Sequence, residues 1–366
     1  MRDEASRSMV VTLALAAMVI ALWSVPTAAQ MQARFSLDSV TAMDLFKGAG
    51  TTGKTGQSVD VSTVIRINDN WSVQVRPWFF KSSAANATWS KEIYQGALRY
   101  QRIGRTALRV EAGYVASPLG LGMTEMRADV NPTIQPHVSY FVPLLSFERG
   151  APSVNALTAS YPLGAAVSAS RTTWDLRGGV LASTPSRRYA LSLVARRPIP
   201  ITPTVFAGGG VTPKPGLRIG GSFARGPYAS AAEESAGASP THDLRMWTLE
   251  GEYAFDYTRL SGEYTRERFI HAAAQDEAHT WFVQGVQTIT PRWYVSMRHE
   301  AISAPPAVFR APSLERLSFR TTERTVGYRL NPEWTARGSL TSQRGYMTTK
   351  TDTRAGVQLV WSRRWR

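Results

Sequence analysis

The feature that most constrains this chain is an alternation of period two that recurs from residue 31 to the end. Trp71, Val73 and Val75 alternate with Ser72, Gln74 and Arg76. Leu108, Val110, Ala112 and Tyr114 alternate with Arg109, Glu111 and Gly113. Trp293, Val295 and Met297 alternate with Ser296, Arg298 and Glu300. Successive side chains of a strand point to opposite faces, so each such segment has one apolar and one polar face. Helical periodicity is hard to find over the same span. The segments run about 8 to 12 residues, the length a tilted strand needs to cross a bilayer.

Soluble sandwiches also alternate, so the connections decide. They come in two kinds that take turns. Short turns lie at 68–70, 103–105, 212–216, 256–258, 290–292 and 331–333. Long polar connections lie at 41–56, 82–88, 117–152, 184–203, 226–242, 270–279, 303–314 and 345–352. Short turns on one side and long loops on the other mark a membrane-spanning barrel. The expected fold is all-β, a transmembrane antiparallel β-barrel of about 16 strands (14–18), with short periplasmic turns and long extracellular loops. The range reflects 153–203, where the pattern is ambiguous. The aromatic residues agree. Trp71, Trp174, Trp293 and Trp334 follow short turns, and Trp89, Trp247 and Trp281 start strands returning from long loops. Trp prefers membrane interfaces, because its ring is apolar and its N–H wants a partner.

Residues 1–29 read as a signal peptide. Arg2 and Arg7 precede an apolar run from Met9 to Trp23, then small residues at Thr27 and Ala29. The run of about 15 residues is short for a spanning helix, which needs about 20. Residues 30–366 then form the barrel, with no second domain. The bacterial outer membrane is the expected location. The negative mean hydropathy does not oppose this, since lipid-facing and lumen-facing residues alternate. The absence of cysteine removes disulfides and thiolate metal sites.

Formal net charge is +15. Such a charge suggests nucleic acid, but export and an even spread along the chain argue against that partner. Assigning the apolar set of each strand to lipid turns the other set inward. The inward basic residues are then Arg66, Arg76, Lys91, Arg99, Arg109, Arg177, Arg218, Arg259, Arg298, Arg329, Arg337 and Arg354. The inward acidic residues are Asp60, Glu111, Asp175, Glu250, Glu252, Glu263, Glu300 and Glu323. Lining a water-filled interior, this basic excess implies a weak anion preference. Pairing across neighbouring strands is the plainer role for any one of them.

The longest connection, 117–152, carries Arg127, Asp129, His137, Glu148 and Arg149 and an apolar patch at Tyr140–Leu145. A loop this long with its own apolar cluster is expected to fold inward and narrow the passage. An external lid is the rival placement. Gly48–Thr55 matches the phosphate-binding loop of nucleotide hydrolases, yet a strand pattern follows where a helix is required. No H-E-x-x-H or G-x-S-x-G occurs among the five histidines and the serines. No cofactor or metal is expected.

Several stretches resemble the phosphate-selective-type porin family of Gram-negative outer membranes and its broad relatives. They are Leu108–Tyr114 leading into Ser117-Pro118-Leu119-Gly120-Leu121, then Tyr161-Pro162-Leu163-Gly164, then Pro215–Tyr228. The resemblance covers about 100–270 and implies a 16-stranded, trimeric diffusion channel. With only six lysines among the 42 basic residues, it carries over no lysine ladder for phosphate. The chain also ends on Trp365-Arg366 rather than on an aromatic residue. The expected function is passive diffusion of small hydrophilic, anionic solutes, by a homotrimer seated in lipid and lipopolysaccharide. A structural or adhesion barrel with a plugged lumen is the alternative, and an outer-membrane enzyme a weaker third.

Overall fold

The computed structural model describes residues 34–48, 54–82, 89–117, 119–145, 147, 152–158, 162–187, 191–192, 201–235, 242–271, 274–305, 317–346 and 348–365. The leader 1–29 and the loop residues Glu148 and Arg149 lie outside them.

Strands dominate the described residues. In chain order they are β1 (Arg34–Gly48), β2 (Lys54–Arg66), β3 (Trp71–Ser82), β4 (Ser90–Arg102), β5 (Ala107–Tyr114), β6 (Leu163–Ser170), β7 (Trp174–Leu181) and the two-residue β8 (Leu191–Ser192). They continue as β9 (Thr204–Lys214), β10 (Leu217–Pro227), β11 (His242–Phe255), β12 (Thr258–His271), β13 (Gln275–Thr288), β14 (Trp293–Ala304), β15 (Leu317–Arg329), β16 (Trp334–Arg344) and β17 (Asp352–Trp365). Apart from β8, these are 16 strands of eight or more residues. Each pairs antiparallel with the next, β7 passing over β8 to β9. Strand β17 pairs with β1 from Leu37 to Gly48, so the order of pairing returns to its start. A ring of this kind leaves no strand edge unpaired, which a hydrocarbon environment demands.

Alternation decides which residues face which way. Along β14, Tyr294, Ser296, Arg298, Glu300, Ile302 and Ala304 are buried, while Trp293, Val295 and Met297 are exposed. The exposed set carries aromatic pairs near the short turns: Trp293 with Tyr328 at 4.6 Å and Trp334 with Trp361 at 6.3 Å. Trp247 and Tyr264, 5.3 Å apart, mark the other edge.

Four expectations change. The 41–56 connection shortens to 49–53, because β1 runs on to Gly48 and β2 starts at Lys54. Trp247 and Trp281 do not start their strands; they sit well inside β11 and β13. The 270–279 connection shrinks to residues 272–274. One cause explains both. Glu277 on β13 bonds Arg266 at 2.7 Å and Arg268 at 3.1 Å on β12, carrying the hairpin past the aromatic level. Lys91, expected inward, pairs with Phe79, whereas Glu92 pairs with the inward Trp78. Pro77 has no N–H for the ladder, and the register shifts between Arg76 and Pro77 to accommodate it. The extra residue, Tyr94, reverses the faces beyond it. Gly48 closes β1 and Lys54-Thr55 open β2, so the phosphate-loop motif is followed by a strand.

Candidate functional site

The connection between β5 and β6 runs against inward faces of β12 to β17 and is held there largely through its backbone. The Glu263 carboxylate accepts the N–H groups of Leu121 at 2.6 Å and Gly122 at 3.2 Å, and the Tyr140 hydroxyl at 3.2 Å. Gly120 has φ 80°, and a Cβ there would lie 2.1 Å from the Tyr140 hydroxyl and 2.7 Å from Glu263. Only glycine fits that approach. Glu323 accepts the N–H groups of Ile134 at 2.9 Å and Gln135 at 3.2 Å. Glu300 accepts that of Val138 at 3.0 Å. Arg298 donates to the Gln135 carbonyl at 2.5 Å and pairs with Glu300 at 2.6 Å. Arg337 donates to the Ala128 carbonyl, Gln358 and Tyr294 at 2.7–2.8 Å. Charge-assisted bonds of this kind are roughly twice as strong as neutral ones.

Glu125 and His137 form a latch inside the loop, 3.1 Å apart. His137 also lies 3.6 Å from Glu300, and Glu125 reaches Arg259 at 2.7 Å and Gln284 at 2.8 Å. Burial alone would raise the Glu125 pKa; the His137 bond and charge, with Arg259 and Gln284, bring it down to about 2. Burial and Arg298 push His137 the other way, but Glu300 and Glu125 prevail and raise its pKa. Apolar contact completes the seat. Leu119, Tyr140, Leu144 and Phe147 share one buried cluster with Met246, Phe269, Ile302 and Phe319 from the strands.

Five residues expected to face water are therefore covered: Arg298 and Glu300 are each 1% exposed, and Glu263, Glu323 and Arg337 are similarly buried. The loop lies on them. On the facing wall the charges pair with one another, within a strand, across neighbouring strands or over one or two strands between. Arg76 clasps Asp60, and Arg99 bonds Gln74 and, at 2.7 Å, Glu111. Arg109 meets Glu111 at 2.7 Å with its side chain 44% exposed. Arg177 meets Glu250 at 2.6 Å, and Arg218 bridges Asp175 at 2.8 Å and Glu250 at 3.0 Å. Arg259 lies 3.8 Å from Glu252. Arg127 and Asp129 pair within the loop at 2.9 Å. Arg66 is exposed at the end of β2, Arg329 bonds the Pro291 carbonyl at 3.0 Å, and Arg354 bonds Asp352 at 2.8 Å.

Glu125 and the inward aromatic residues Trp78 and Tyr94 were missed by sequence reasoning. A lone acid in a long loop carries no signal by itself, and Tyr94 faces inward only because of the bulge. Among the described residues no three His, Asp or Glu side chains are arranged to hold a metal ion.

This architecture defines a porin-like outer-membrane β-barrel fold. No protein-family model and no curated protein matches the chain. Solved structures do. A loop-deletion mutant of OmpT, an outer membrane protein of Vibrio cholerae, has a TM-score of 0.59 at 10% identity, covering 91% of this chain and 99% of that one. The anion-selective porin from Comamonas acidovorans has 0.59 at 8% identity, covering 91% and 100%. Pseudomonas putida OprB has 0.59 at 10% identity, covering 91% and 94%. At such identities the likeness is one of fold, shared with porins broadly rather than with the phosphate-selective type.

Proposed function

We propose that this chain is a bacterial outer-membrane channel for passive diffusion of small hydrophilic solutes. One observation carries the reading: a long loop is fixed against one side of the ring by its own backbone, and the other side presents partly exposed arginines. A loop held this way narrows the passage without relying on chance packing. The arginines give a weak anion preference, since opposite charge concentrates in a narrow aqueous path. Small anionic solutes suit it, with no preference for phosphate carried over, because the lysine ladder of the phosphate-selective type is missing.

The reading includes a leader at 1–29, a homotrimer, and lipid and lipopolysaccharide around the outer face. One structure of OmpT from Vibrio cholerae, at 9% identity, is of a trimer form. Arg320 and Arg344 stand directly opposite each other, on the outward face in register with Trp281 across Ala301, and are suited to lipid phosphates. Reconstitution in a planar bilayer tests the proposal. Discrete current steps are expected, and folded protein that inserts without conducting would reject it.

A second reading has one observation in its favour. The apolar cluster of Phe147, Tyr228, Phe269 and Phe319 fills part of the interior toward the long loops, as in a plugged structural or adhesion barrel. The same recording separates the two, because a plugged barrel inserts silently.

A further inference from the structure

A pocket of about 510 Å³ lies inside the ring, between β2–β4 and the inner loop. That size falls within the range of small-molecule sites, about 300–1,000 Å³. Its wall is aromatic. Trp78 and Phe80, two residues apart on β3 and so on one face, stack at 4.1 Å with 25° between their planes. Tyr94, turned inward by the bulge, meets Trp78 at 5.1 Å. Phe141 of the loop stands among the other lining residues.

Two of the polar groups, Asp60 and Arg76, are charged and neutralise each other. Arg76 Nε donates to both Asp60 oxygens, at 2.7 and 3.0 Å, and its guanidinium lies 5.2 Å from the Tyr94 ring centre. Thr55, Gln57, Ser58, Asn131, Gln358 and Lys81 make up the rest of the polar lining. On the face that carries Trp78 and Phe80, an anion would meet Asp60 or have to break the Asp60–Arg76 pair; Lys81, next to Phe80, takes the other face of β3. A neutral ligand with apolar C–H faces and a rim of hydroxyls meets no such penalty. Its faces suit Trp78 and Phe80, and its hydroxyls suit a carboxylate, a guanidinium and amides, each of which donates or accepts.

We propose that this pocket is a binding site for a neutral saccharide, stacked on Trp78 and Phe80 and hydrogen-bonded to the Asp60–Arg76 pair. The site lies within the passage and deepens the channel reading, on which it rests for access from water.

The test is a bilayer recording of the purified barrel with glucose, lactose or maltotriose added in turn. Concentration-dependent interruptions of the open current are expected with at least one of them. Trp78→Ala should weaken that block about 3- to 10-fold, the worth of one aromatic contact, and Trp78→Phe should keep most of it. A conducting channel that none of the three interrupts overturns the saccharide site and leaves the channel standing. So does a block that Trp78→Ala leaves unchanged, or interruption by benzoate alone. If no current steps appear, the channel reading fails, and tryptophan fluorescence of the folded protein in detergent decides the site. A saccharide-dependent change lost in Trp78→Phe upholds it, and no change overturns it.

Discussion

Glu263 on β12 accepts the backbone N–H of Leu121 at 2.6 Å, joining the inner loop to the wall across 142 residues of sequence. Glu263→Ala removes the acceptor of two N–H groups and a phenol. Each group left unsatisfied in a buried place costs about 1–3 kcal/mol. The variant is expected to show a larger, noisier conductance and to lose its heat-modifiable gel mobility at a lower temperature. Glu263→Gln, which keeps one acceptor oxygen, should fall between. Unchanged conductance in Glu263→Ala would mean that the loop does not narrow the passage.

Gly120 and Tyr140 make a sharper test of the same seat. A methyl group at 120 would meet the Tyr140 hydroxyl at 2.1 Å. Gly120→Ala should therefore destabilise the loop, and Tyr140→Phe should cost only one hydrogen bond. Residues in contact do not act additively. The double variant is expected to be less impaired than the sum of the two, read by thermal unfolding in detergent.

How much of this was legible in the sequence depends on the range of the interaction. The alternation at Trp293–Glu300 or Leu108–Tyr114 reports faces directly, because period two is a local property of the chain. The inward set was therefore readable residue by residue, and Lys91 fails only because Pro77 forces a bulge one strand away. Which inward residues touch water is not local. Arg298, Glu300 and Arg337 read like Arg109, and only the path of the 117–152 loop separates them. The partners of Glu125 lie 12 to 159 residues away, and no pattern near Glu125 announces them.

Arg298 is the most enclosed arginine of the described residues, held by Glu300 at 2.6 Å and the Gln135 carbonyl at 2.5 Å. Arg298→Met leaves Glu300 and Glu323 without it. Breaking a buried pair from one side costs about 3–5 kcal/mol. A clear fall in unfolding temperature is expected. Arg298→Met with Glu300→Leu removes that pair but leaves the Val138 N–H and Glu323 unpartnered by them, so it should recover only part of the loss.

The Glu125–His137 latch should respond to pH in both directions. Glu125 falls from 4.5 to about 2, so its contribution is present above about pH 4.5 and is lost as pH drops toward 2. A shift of that size is worth on the order of 3 kcal/mol. His137 is raised above 6.5, so its contribution is full below pH 6.5 and is lost as pH climbs through the raised value. The loop should be quietest between about pH 4.5 and 6.5. Current noise recorded across pH should rise on both flanks; His137→Gln should abolish the alkaline flank and move the acid flank to higher pH, because His137 is the main group holding the Glu125 pKa down.

The wall arginines set ion preference. Arg109 is 44% exposed and shares Glu111 with Arg99. Replacing Arg109 and Arg177 by Gln should move the reversal potential in a KCl gradient toward cations. High salt should shrink the difference, because the Debye length falls to about 3 Å at 1 M.

One recording bears most directly on the claim that the ring encloses an aqueous path. The chain has no cysteine, so single cysteines report cleanly. Arg109 and Val110 are neighbours on β5 with opposite faces. With a charged, membrane-impermeant thiol reagent, Arg109→Cys should lose current in discrete steps while Val110→Cys is untouched. A reagent that leaves Arg109→Cys current unaltered, or alters both alike, would contradict the account.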